Sequence, residues 1–153
     1  MIYKKSWKYI LEHSYGKLYR PRAVRNFSDV SKGDLGGYVD GYRNLSQTGN
    51  CWIYDRVMIF GDAKVYENAK LYCTVQVFDN AQIHGNARIY NEVEIYGNAE
   101  VFGEAKVENN ACICGDAKVF ENAWIADNAV VCEDAVVSGK ALVFGITRIP
   151  SRL

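Results

Sequence analysis

The sequence predicts an all-β chain: a single-stranded parallel β-helix, a triangular prism with 18 residues per coil, preceded by an N-terminal β cap. Three observations carry this expectation. From Gly49 to Phe144 the chain divides without a gap into sixteen six-residue units, among them GDAKVY at 61, GNARIY at 85 and GDAKVF at 115. The third residue of each unit is mostly Ala, and the fifth is Val, Ile or Leu throughout, from Ile53 to Val143. Val takes the third position at Val57, Val75 and Val93, a recurrence every 18 residues that makes three units one coil.

Each element follows from the unit. Period-2 alternation sends the third and fifth residues inward and the fourth and sixth outward. A small residue near each corner leaves room for a branched residue on the flat to reach the axis. The first two positions are mostly Gly, Asn, Asp or Glu, types that turn a chain sharply, so these are the corners. Sixteen units give a little over five coils, a rod of roughly 25 Å at the spacing of neighbouring strands. Residues 1–48 lack the repeat and hold two strand-like runs, 17–27 and 37–45, separated by a turn-rich stretch. They are expected to cap the open first coil, and residues 145–153 form a tail.

Composition excludes several classes. Lys plus Arg and Asp plus Glu are both 18, so no global field favours nucleic acid or an anionic membrane. The balance hides an asymmetry: residues 1–48 carry nine basic and four acidic side chains, and the remainder nine and fourteen. No apolar run has the length of a membrane span, and the start, Met1 to Lys8, is polar and basic rather than a signal segment. Five cysteines without disulfide-scaffold spacing fit a reducing, cytoplasmic setting.

Two segments carry a resemblance. The run Arg25 to Val39, with Asn26-Phe27-Ser28-Asp29-Val30-Ser31-Lys32-Gly33-Asp34-Leu35-Gly36-Gly37 at its centre, and the run Asn44 to Asp55 resemble the start of the solenoid in the YdcK family. With the repeats that follow, the resemblance covers about residues 17–144. It implies a left-handed hexapeptide-like β-solenoid of bacterial or phage origin, of a kind labelled acyltransferase by analogy. Hexapeptide acyltransferases assemble as trimers, bind acyl-CoA in grooves between prisms, and use a His as general base.

Candidate chemistry is sparse. Of two histidines, His84 occupies an outward sixth position, one coil from Tyr66 and Phe102, and is the candidate catalytic base. Two histidines cannot supply a three-His metal centre, and no metal site is expected. Cys112, Cys114 and Cys132 stack on one face, where reduced thiols filling an interface are the simpler reading. The same face carries Met58, Phe60, Phe78, Tyr96 and Val130, an apolar strip of the kind that marks an interface. Lys17, Arg20, Arg22 and Arg25 lie near Tyr15 and Tyr19 and suit a nucleic-acid or other partner contact, although the acidic rod would repel a phosphate backbone. The expectation is therefore a non-enzymatic binding or assembly module without cofactor. It would be a dimer or trimer of its own copies engaging a protein partner, in a phage a host factor. The alternative is a hexapeptide-repeat acyltransferase using acyl-CoA.

Overall fold

A computed structural model describes residues 6–150 of the chain. Residues 1–5 of the expected cap and residues 151–153 of the expected tail lie outside the described residues. The architecture is an all-β solenoid of parallel sheets in 18-residue coils, about six turns long. Strands of the first face are Tyr38–Val39, Met58–Ile59, Gln76–Val77, Glu94–Ile95, Cys112–Ile113, Val130–Val131 and Arg148–Ile149. The second face runs from Lys64–Val65 to Val136–Val137 and the third from Trp52–Ile53 to Leu142–Val143. Register is in step throughout, as in Glu94 against Gln76 and Cys112.

The core is the predicted one. Inward Ala and Val at third positions and Val, Ile and Leu at fifth positions are nearly all fully buried. Val57, Val75 and Val93 fall in a row on the first face. Corners have a sharper rule than composition suggests, because the first residue of every unit has positive φ, Glu67, Cys73, Glu121 and Glu133 included. Holding an L-residue there costs about 1 kcal/mol. A recurring hydrogen bond offsets that cost: the first-position side chain accepts the N–H of the first position one coil on. Asp55 Oδ2 accepts from Cys73 (3.1 Å), Asn91 Oδ1 from Asn109 (3.2 Å) and Asp127 Oδ2 from Gly145 (3.0 Å).

The ladder extends past both boundaries drawn from the repeat. At the far end Gly145 has the corner φ of 74° and Ile149 is buried at 6% exposure, so 145–150 forms a further unit in which Thr147 and Pro150 obscure the pattern. At the front, Tyr38–Val39 pairs in parallel with Met58–Ile59, and Leu45 bridges Val65. Eight residues separate Leu45 from Ile53, against six between their partners Val65 and Leu71, and the extra length breaks the hexad.

That extra length has a use. Strand β1 (Tyr9–Tyr15) and strand β2 (Leu18–Ala23) form a hairpin that extends the first face through β3 (Tyr38–Val39). Gln47, in the lengthened loop, accepts from the N–H groups of Lys8 (2.7 Å) and Tyr9 (3.1 Å) and donates to Tyr9 O (2.9 Å). The start of β1 is thereby tied to the first coil. Among the described residues no helix is long and apolar enough to cross a membrane.

Candidate functional site

Three outward ladders of stacked rings follow from the sixth positions. Tyr54, Tyr72 and Tyr90 stack on the third face at 4.5 and 4.9 Å, and Phe60, Phe78 and Tyr96 on the first at 5.1 and 4.9 Å. The second face carries Tyr66, His84, Phe102 and Phe120, and here the ladder contains a titratable ring. His84 lies flat between Tyr66 (4.5 Å, 5°) and Phe102 (4.9 Å, 1°).

Both nitrogens of His84 meet carboxylates: Nε2 lies 2.6 Å from Glu100 Oε2 and Nδ1 lies 2.9 Å from Glu67 Oε1. The two contacts differ in character. The Glu100 side chain is 27% exposed and lies on the strand floor beside the ring, whereas Glu67 is 54% exposed at a corner. A neutral imidazole donates from one nitrogen only, so the more enclosed Glu100 is the group suited to fix Nε2–H and leave Nδ1 as the basic atom. The carboxylates that flank His84, Glu67 and Glu100, were absent from the expectation. The coil itself was the available signal, since a sixth-position side chain reaches the fourth position of the next coil, 16 residues on. Tyr66 O–H donates to Gln82 (2.8 Å) and Trp124 Nε1–H to Glu108 (3.2 Å) on the same diagonal.

One coil before His84 a cleft of about 380 Å³ opens between the cap and the second face, lined by Tyr42, Arg43, Leu45, Ser46, Gln47, Lys64, Val65, Tyr66 and Gln82. Tyr66 is at once its floor and the ring stacked on His84. The lengthened loop after Leu45 forms one wall. Two cationic side chains, Arg43 and Lys64, stand at it, with Arg43 held by Asp40 (2.5 Å).

The first face gathers the predicted strip. Met58, Phe60, Phe78, Tyr96, Cys112, Cys114 and Val130 are half-buried on one sheet, and Cys132 is buried one coil before Pro150. Cys112 Sγ lies 3.7 Å from Tyr96 Oη, and burial pushes its thiol up to about 11. Burial also raises Cys132. Such thiols are poor nucleophiles and serve here as small packing groups. Among the described residues no three His, Cys, Asp or Glu side chains are gathered as a metal site.

Three of the four basic residues singled out in the cap make local contacts. Arg22 is paired with Glu12 and donates to Gly33 O (2.7 Å), Arg20 donates to Gly36 O (2.8 Å) and stacks on Tyr38, and Arg25 lies 5.6 Å from the Phe27 ring. Lys17 stands exposed in the hairpin turn. Arg20 and Arg22 thus hold the hairpin against the loop at 33–36. His13 contacts Gly16 O (2.9 Å) at the hairpin tip, far along the chain from the cleft residues.

The coil length, the small-then-aliphatic interior and the outward ladders define a hexapeptide-repeat β-solenoid. Over 49 residues the chain is 45% identical to a protein from Escherichia coli (strain K12) named uncharacterized acetyltransferase YdcK. The match takes in 31% of this chain and 15% of that protein. No protein-family profile matches the chain. The solenoid and this similarity together fit a YdcK-type hexapeptide-repeat family.

Proposed function

We propose that the chain is a hexapeptide-repeat acyltransferase in which His84 is the general base and acyl-CoA the donor. The observation that carries the reading is the ring of His84, oriented by Glu100 and stacked under the floor of a cleft. The similarity to a protein named acetyltransferase supports it over the assembly module expected from residue types alone.

In this mechanism an acceptor hydroxyl or amine displaces the exposed Glu67 from Nδ1. Nδ1 takes the acceptor proton as the oxygen or nitrogen attacks the thioester carbonyl, and Glu100 stabilises the imidazolium through Nε2–H. The new C–O or C–N bond forms, the C–S bond breaks, and the thiolate leaves with the proton that His84 returns. Arg43 and Lys64 place positive charge where a donor's phosphates would lie.

The test is CoA release from acetyl-CoA with a panel of small amine and hydroxyl acceptors. His84→Ala is expected to lower turnover by about 10²- to 10⁴-fold. Glu100→Gln is expected to lower turnover while shifting the pH profile, which loss of packing alone would not do. An unaltered rate in His84→Ala removes His84 from the mechanism.

The apolar first face favours a second reading, self-association into a binding module. Because a groove shared between prisms needs neighbouring copies, assembly also serves the transferase. Phe78→Asp places a carboxylate in the middle of the Phe60–Phe78–Tyr96 ladder and is expected to lower the mass measured by light scattering to that of one chain. A parent chain that is itself monomeric at both high and low concentration, or a variant that keeps the parent's assembly, refutes the interface.

A further inference from the structure

We propose that Lys8 and Cys51 form an oxidation-sensitive cross-link site, in which a single oxygen atom comes to bridge Lys8 Nζ and Cys51 Sγ. Lys8 and Cys51 are both fully buried, at 0% exposure. Lys8 Nζ donates to Cys51 O (2.7 Å) and to Gly49 O (3.4 Å), and it lies 3.2 Å from Cys51 Sγ. Among the described residues Lys8 makes no ion pair with a carboxylate; its other contacts are the two carbonyls and the Phe27 ring, whose centroid lies 5.0 Å from Nζ. Burial draws its pKa below the usual lysine range, which favours the neutral, nucleophilic amine.

The arrangement is more than a cysteine in a core. A buried lysine aimed at a thiol places the two partners of a covalent bond at contact distance, with a backbone clamp fixing the amine. A separation of 3.2 Å suits an inserted oxygen after a small approach, whereas a direct S–N bond requires the atoms to close by about half of that distance. Enclosure also selects the oxidant, because the site admits a small apolar molecule such as dioxygen more readily than a solvated one. In the reaction one N–H and one S–H bond break and N–O and O–S bonds form. Nitrogen and sulfur supply the electrons, and dioxygen is reduced, one oxygen atom remaining in the bridge and the other leaving as water with the two hydrogens. Four thiol equivalents reduce the bridge, returning amine, thiol and water and leaving two disulfides.

The bridge would join residues 43 apart in the chain and clasp the start of the hairpin to the first coil. It stands independently of the transferase reading. The test is the intact mass of the folded parent chain after exposure to air-saturated buffer, compared with a sample kept anaerobic with dithiothreitol. The expected result is a gain of one oxygen less two hydrogens, a peptide map joining the Lys8 and Cys51 peptides, a raised thermal midpoint, and reversal by dithiothreitol. Lys8→Arg is expected to abolish the product. An unchanged mass, whole-oxygen gains on Cys51, a loss of two hydrogens alone, or the same product in Lys8→Arg overturns the proposal. The mass and map of the parent decide the question even where Lys8→Arg does not fold.

Discussion

Ile95→Asp is expected to leave the chain without a cooperative unfolding transition at room temperature. Ile95 is fully buried between Val77 and Ile113 on the first face, in the middle of the rod. Its neighbours along the axis are aliphatic, so a carboxylate there has no partner, and ionised or protonated it costs several kcal/mol beyond the lost apolar burial. The typical stability of a domain is about 5–15 kcal/mol. In a solenoid each coil leans only on its neighbours, so a broken middle coil separates the two ends rather than weakening one. Circular dichroism during heating and urea titration reads the effect. Glu94→Gln, at the adjacent exposed position, is the control and is expected to stay within about 0.5 kcal/mol of the parent. A melt of Ile95→Asp close to that of the control would mean that the prism is not packed there.

Asn44→Leu is expected to be the second most damaging change, by about 3 kcal/mol or more. Asn44 is a fully buried polar residue at the end of the short 3-10 turn Tyr42–Asn44, where the cap passes into the first coil. Its amide donates to Gly61 O (3.1 Å) and Ala63 O (3.0 Å), and its Oδ1 accepts from the N–H groups of Asp40 (3.1 Å) and Gly41 (3.1 Å). Leu has the wrong chemistry for all four and strands backbone groups away from water. Asn44→Asp keeps the acceptor and loses the donor, and its urea midpoint is expected to fall between those of the parent and Asn44→Leu. Equal midpoints for all three chains would show that the backbone finds water instead.

These two positions also mark how far residue patterns reach. Ile95 belongs to a repeat whose inward role is legible in every unit, and the Val triplet at 57, 75 and 93 announced both the coil length and a shared face. Stacking of Tyr66, His84 and Phe102 followed from the same period. Asn44 is one Asn among many, and nothing in its neighbourhood sets it apart, because its four partners come from a loop before it and a coil after it. Lys8 is similar: in a basic N-terminal run it reads as solvated, and only docking of the hairpin buries it against Cys51. Sequence does not show what Arg20, Arg22 and Arg25 touch; in the fold Arg20 and Arg22 reach the loop at 33–36 and Arg25 the Phe27 ring.

The repeat by itself determined the all-β solenoid, its coil length, its interior and the three outward ladders, because a six-residue period is a local rule that each unit obeys in turn. Tertiary structure alone decided where the ladder begins and ends and how the cap closes the first coil. Those features depend on side chains brought together from outside the repeat, and contacts of that kind leave no regular interval in the chain.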